Sequence, residues 1–221
     1  VYTDPVEAVV FDLDGTLVDS IADIGESINH SLKTHGYPTH EIDAYHSMVG
    51  SGLKRAMEIA LPDGVELKAE HVEAMIEYYR EHPHDFARPF EGVPELLEAI
   101  REEGIPVSVL SNKHHDLSVR IVDTLFPGFP FASVQGLSER FPAKPDPSSL
   151  KSLVGRMGKP AQRTLFVGDT EVDHQTALAA GLTPVLVSWG GSRPIEQLRR
   201  ACEGTLIVSN IGGLYDRIGL H

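Results

Sequence analysis

Three observations predict an α/β fold in which a largely parallel sheet carries helices on its faces and a helical subdomain is inserted after the first strand. Short apolar runs recur along the 221 residues and end in polar or acidic clusters. Helical patterns lie between most of them, the rhythm of strands joined by helical crossovers. Between the first run and the second, however, about 75 residues hold three or four helical patterns and no convincing strand, too much for a simple crossover.

The strand-like runs are residues 6–11, 105–110, 164–167 and 184–187, with a weaker one at 131–134 and an edge strand at 205–208. Leu96, Leu97 and Ile100 share a helical face opened by Pro94 and closed by Gly104; Ile121, Val122 and Leu125 form a second. Leu150, Leu153, Val154 and Met157, stopped by Gly158, form a third. In the long interval the helical faces are Ile21, Ile24, Ile28 and Leu32, then Leu53, Met57 and Ala60, then Val72, Met75, Ile76 and Tyr79. The expected division is therefore a main domain of residues 1–17 and 87–221 and an inserted domain of 18–86. Its two linkers, at Asp19-Ser20 and in the Pro-containing segment 82–90, make a hinge.

With 19 Lys+Arg against 32 Asp+Glu, the formal charge of −13 argues against nucleic acid or an anionic membrane as the partner. Apolar residues reach 41% but never in a run long enough to span a bilayer. Cys202 is the single cysteine, which excludes an internal disulfide and a cysteine-rich zinc site. With no basic start and apolar stretch of a leader in view, a cytoplasmic location is expected.

The chemistry concentrates at strand ends. The run at 9–11 passes directly into Asp12 and Asp14, which start on one face because strand side chains alternate. Two carboxylates in one small site imply an acid–base pair or a bound cation; the competing reading is capping of the next helix, with Asp19 or Thr16 in a similar part. The run at 164–167 ends in Asp169, with Asp173 four residues on, although Asp after Gly before a helix is often an N-cap. If both strands are central in one parallel sheet, the four acids meet and suit a hard oxygen-ligated cation, Mg²⁺ above all. The run ending at Leu110 supplies Ser111 and Asn112, a hydroxyl and an amide suited to phosphate oxygens or to a simple turn. Lys144, stiffened by Pro145, offers a point charge or a solvated surface group.

Together the segments DLDGT at 12–16, SN at 111–112, Lys144 and GDTEVD at 168–173 resemble the haloacid dehalogenase-like hydrolase superfamily, and within it the phosphoglycolate phosphatase group. The resemblance spans nearly the whole chain and implies a Rossmann-like core with an α-helical cap inserted after the first strand. It implies a Mg²⁺-dependent phosphatase acting through an aspartyl phosphate, with Asp12 as nucleophile and Asp14 as general acid and base. Ser111 and Asn112 would then contact the phosphoryl group, and Lys144 would offset charge on nucleophile and phosphate. Mg²⁺ would be held by the Asp12 carboxylate, the Asp14 carbonyl and Asp169, with Asp173 as ligand or support.

Family alternatives are narrowed by Asp14. Dehalogenases and phosphonoacetaldehyde hydrolases lack an equivalent acid, and the latter use a cap lysine for which Lys54 would be the candidate. A β-phosphoglucomutase-like phosphotransferase shares both aspartates and remains the nearest rival; a non-catalytic phosphate-binding module is the rival from another class. Substrate choice falls to the cap, where Gly50, Ser51 and Gly52 suit a flexible loop and Arg55, as a bidentate cation, suits a substrate carboxylate unless it is an ordinary exposed residue. The expected partner is a small phosphorylated metabolite, and the expected state a monomer or weak homodimer. The pairs His82/His84 and His114/His115 lack zinc-protease spacing and read as loop residues, and Trp189 reads as packing at the rim.

Overall fold

The computed structural model describes residues 5–50, 52–191 and 193–220. Strands β1 (Ala8–Phe11), β4 (Val107–His114), β5 (Ser133–Leu137), β6 (Thr164–Gly168), β7 (Thr183–Val187) and β8 (Leu206–Val208) form one sheet in the order β5-β4-β1-β6-β7-β8. Every pairing in it is parallel, with Val10 level with Ser108 on one side and with Phe166 on the other. The chain thus reverses direction of sheet growth at β1. The carboxyl ends of β1, β4 and β6 lie side by side, which is where ligands bind in open α/β sheets.

Alternation along the strands sorts the core into two layers. Val9, Phe11, Val107, Val109 and Val167 pack with Leu96, Leu97, Ile121 and Leu214, from α4 (Val93–Glu102), α5 (His115–Leu125) and α9 (Ile211–Ile218). Val10, Leu110 and Phe166 face the other way, onto α6 (Ser148–Met157) and α7 (Glu171–Ala180) through Leu150, Leu153 and Ala177. A short helix α8 (Ile195–Ala201) covers the β7–β8 edge with Leu198 and Cys202. Burial pushes the Cys202 thiol up to about 11, so it is protonated and unreactive near neutrality.

Between β1 and β4 the chain builds α1 (Ile21–Thr34), a 3-10 turn (Ile42–Ser47), α2 (Leu53–Ala60) and α3 (Ala69–Glu81). These helices share an apolar cluster of their own, centred on Ile28, Leu32, Tyr45, Met57, Met75 and Tyr79, with Leu117 of α5 beneath it. At about 1.5–3 kcal/mol for each fully buried large side chain, such a cluster is a substantial core in its own right.

The linkers contain an element that the sequence did not announce: β2 (Val18–Asp19) pairs antiparallel with β3 (Arg88–Pro89). Asp23, buried in the first turn of α1, accepts the backbone N–H groups of Phe86 at 3.0 Å and Ala87 at 2.6 Å, so the outgoing segment clamps the returning one. Asp23→Ala strands the fully buried Ala87 N–H, a loss of about 1–3 kcal/mol. Urea unfolding should show that loss, with both linkers intact in sequence.

Two strand expectations shift. The run at 131–134 starts its strand at Ser133 and continues to Leu137, because Gln135 pairs with Leu110, and β4 continues through Ser111, Asn112 and Lys113 to His114. No helix among the described residues is long and apolar enough to cross a membrane.

Candidate active site

Asp12 follows β1 directly and its N–H donates to the Val167 carbonyl at 2.8 Å, so the ladder to β6 carries it to the sheet's end. The next residues fold back in a tight turn: Leu17 and Val18 N–H donate to the Leu13 carbonyl, and Gly15 N–H to the Val18 carbonyl. Gly15 has φ +79°, and a Cβ there would lie 2.4 Å from Asp169 Oδ2, so only glycine allows the approach. Trp189 pins the turn from outside, its indole N–H donating to the Thr16 carbonyl at 3.1 Å. That is a packing role at the rim.

The acids do meet. Asp12, Asp169 and Asp173 are all buried, and each offers an oxygen within 4.8 Å of the others. The Lys144 ammonium lies 2.8 Å from Asp12 Oδ1 and 2.6 Å from Asp173 Oδ1. Burial pushes the Asp12 carboxyl well above its ordinary value; Lys144 pulls it back, while Asp173 and Asp169 add to the rise. Burial alone would lower Lys144, but Asp12 and Asp173 outweigh it and hold the ammonium above its ordinary value. The Lys144 ammonium sits against these buried carboxylates, and an all-oxygen donor set of this kind is what a hard divalent ion takes.

Asp173 is largely committed elsewhere. Its Oδ2 accepts from Thr170 N at 3.0 Å, Thr170 Oγ at 2.7 Å and Asp169 N at 3.3 Å, while Oδ1 holds Lys144. Asp173 therefore shapes the loop that presents Asp169 and anchors the lysine, as the N3 partner of the Thr170 cap on α7. The N-cap expected at Asp169 is instead Thr170, with Asp173 as its N3 partner.

Asn112 has a similar office. Its amide accepts from Lys144 N–H at 2.7 Å and donates to the Lys144 carbonyl at 3.2 Å, fixing the segment that delivers the ammonium. Ser111 Oγ accepts from Lys113 N at 3.1 Å, which leaves its O–H free to donate toward the cavity it lines.

A cavity of about 690 Å³, its open mouth included, joins Asp12, Asp14, Ser111, Asn112, Lys144 and Asp169 on the sheet side. The insertion supplies the opposite wall through Ile21, Ile24, Val49, Gly50, Gly52, Leu53 and Ala56. Gly52 is thus placed as the sequence suggests, whereas Ser51 lies outside the described residues. Arg55 is not on this wall: it is exposed on the outer face of α2 and pairs with Glu58, and Lys54 is exposed beside it. His82 bonds Asp85 at the surface, His115 Nδ1 accepts from Gly136 N–H, and neither pair belongs to a ligand cluster among the described residues.

One cavity residue escaped the sequence reading. Lys113, with its side chain 1% exposed, reaches Asp14 Oδ1 at 2.5 Å and lies 5.0 Å from the centre of the Tyr79 ring. Ser20 Oγ donates to the same Asp14 oxygen at 2.5 Å. Strand parity was the available signal, since residues 111 and 113 share a face.

A family model described as haloacid dehalogenase-like hydrolase matches residues 9–187, which include every acid of the site. The chain belongs to that family. Among its relatives, a phosphoglycolate phosphatase of Aquifex aeolicus is 31% identical over 185 residues, 84% of this chain and 86% of that one. Another, of Mesorhizobium japonicum, is 31% identical over 212 residues, covering 93% and 92%. A crystal structure from Lactobacillus delbrueckii subsp. bulgaricus, provisionally named phosphoglycolate phosphatase, superposes with a TM-score of 0.91 at 26% identity, covering 97% of this chain and 99% of that one. With these relatives the chain is a haloacid dehalogenase-like phosphomonoester hydrolase of the phosphoglycolate phosphatase-like group.

Proposed function

We propose that this hydrolase removes the phosphoryl group of a small phosphorylated acid, phosphoglycolate or a near analogue, by way of an aspartyl phosphate on Asp12 with Mg²⁺ bound. The observation that carries the reading is the pairing of two differently held carboxylates at the end of β1: Asp12 against Lys144, Asp14 against Ser20 and Lys113. A group poised for nucleophilic attack and a group poised for proton transfer are what a two-step hydrolysis needs.

Asp12 Oδ1 is occupied by Lys144 and by the Leu13 N–H at 2.7 Å, which leaves Oδ2 for attack on phosphorus. As the Oδ2–P bond forms, the ester P–O bond breaks and the departing oxygen takes a proton from Asp14. Asp14 then takes a proton from water as the water oxygen bonds phosphorus and the Asp12–P bond breaks. Ser111 O–H and the Lys144 ammonium bind the phosphoryl oxygens, where charge must be held in place through both steps. Asp12, the Asp14 carbonyl and Asp169 would hold Mg²⁺, with Asp173 steadying Asp169. The ion supplies positive charge to the phosphate and to the carboxylate cluster.

The insertion acts as a cap, residues 18–86 over a core of 1–17 and 87–221. Its separate apolar cluster and paired linkers support that division. Its cavity wall is mainly aliphatic, which leaves recognition of the phosphate to the sheet side; Arg55, turned outward, does not read the substrate. The acidic charge and the buried single thiol favour a soluble cytoplasmic setting, with no nucleic acid or membrane partner.

Phosphate release from phosphoglycolate and several sugar phosphates, with Mg²⁺ or with EDTA, tests the reading. Release is expected only with the divalent ion, with the small acid ahead and the ranking unchanged in Arg55→Ala. Undiminished release in EDTA, or none from any substrate by folded protein, would overturn it.

A further inference from the structure

We propose that Lys113 is a positioning residue for the acid–base carboxylate: with Ser20 it fixes Asp14 Oδ1, so that Oδ2 is the oxygen that carries and transfers the proton. The proposal rests on the phosphatase reading and names a participant that the family motifs quoted above do not include.

Lys113 is an ammonium with a side chain 1% exposed, and burying a charge is costly enough that an apolar pair would serve packing at least as well. Among the described residues its ion-pair partner is Asp14, and the fully buried Tyr79 ring lies 5.0 Å from the ammonium. Asp14 itself is only partly covered, with its side chain 25% exposed, and lines the cavity. Such an arrangement spends a buried cation on the direction of a half-open carboxylate.

Direction matters because the terminal torsion of an aspartate is broad and nearly two-fold. A free Asp14 would offer either oxygen. Two donors, Ser20 Oγ and Lys113 Nζ, both meet Oδ1 at 2.5 Å, while Oδ2 has no hydrogen bond among the described residues. Lys113 comes from β4, Ser20 from the hinge and Tyr79 from α3 of the insertion, so the clamp closes across the junction of core and cap. The orientation of the acid therefore depends on both halves being in register, and Lys113 is the member common to both contacts.

The test separates steps that need a proton from steps that do not. The alkoxide leaving from phosphoglycolate must be protonated, whereas 4-nitrophenolate leaves as the anion. In Lys113→Met with Mg²⁺, kcat/KM for phosphoglycolate is expected to fall about 100-fold and that for 4-nitrophenyl phosphate by less than about five-fold, the range open to a mispositioned general acid. Lys113→Gln keeps an N–H donor at the same place and is expected to recover about ten-fold of the phosphoglycolate loss. Equal losses on both substrates, or no loss on either, would overturn the proposal. Should the Met variant fail to fold by circular dichroism, the same comparison in Lys113→Gln decides it. Asp14→Asn separates the two claims: a split there that both Lys113 variants lack overturns the positioning role alone, and no split in Asp14→Asn overturns the phosphatase reading with it.

Discussion

Asp12→Asn should stop turnover, by about 10⁴-fold or more, while the protein folds and melts at a higher temperature than wild type in EDTA. The first half follows from chemistry, because an amide oxygen cannot form the phosphoryl ester bond that divides the hydrolysis into two steps. The second follows from the sign of the Asp12 shift. Burial and two neighbouring carboxylates hold its pKa above the unfolded value despite Lys144. A carboxyl raised in this way is ionised more easily in the unfolded chain, so native stability falls as pH rises through that window, and at neutral pH the charge opposes folding. The amide removes that opposition, and Lys144 keeps Asp173 as a partner. Differential scanning fluorimetry in EDTA reads the result. A lower melting temperature would mean that the Asp12–Lys144 pair stabilises more than the crowding of acids costs. Added Mg²⁺ should raise the wild type and narrow the difference, since a ligand of the native state stabilises it by mass action.

Lys144→Met should be the most destabilising single change at the site. It removes the ammonium that lies between Asp12 and Asp173 and leaves buried carboxylates facing one another. Removing one member of a buried ion pair costs about 3–5 kcal/mol, which for a chain of this size lowers the melting temperature by on the order of 10 °C. Activity should fall by about 10²–10³-fold as well, because the cation that meets the developing charge on phosphate is gone. Urea unfolding and initial rates check both. Stability within about 1 kcal/mol of wild type, the scale of an exposed pair, would show that water or structural relaxation screens the cluster.

What the residues disclosed in advance follows from which forces are local. Acids directly after β1 and β6 could be read because strand runs are short and buried, and their ends are sharply marked by Asp12 and Asp169. The insertion could be read because seventy-odd residues, roughly, without strand periodicity exceed any ordinary crossover. The β2–β3 ribbon could not, since two residues per strand show no period, and the Asp23 clamp joins a carboxylate to backbone N–H groups more than sixty positions away, which any residue there would offer.

Arg55 lies off the cavity wall for a geometric reason. The stripe of Leu53, Met57 and Ala60 already placed the inner face of α2, and a residue two positions after Leu53 lies roughly 200° around the helix from it. Its charge drew attention that its helical angle should have cancelled. Lys113 is the reverse case. Ser111 and Asn112 announce themselves by their polar groups, while Lys113, two places after Ser111, lies on the same strand face. A lysine reads as solvated by default, and only the Asp14 and Tyr79 contacts show otherwise.

The central claim is that phosphorus passes through Asp12. The most direct test is acid quench of wild-type enzyme during turnover of ³²P-labelled substrate with Mg²⁺, followed by peptide mapping, with Asp12→Asn as the blank. Label is expected on the peptide containing residue 12, stable in acid and released by hydroxylamine as an acyl phosphate is. Turnover with no label on the protein at any time, or with label on a different residue, would contradict the account.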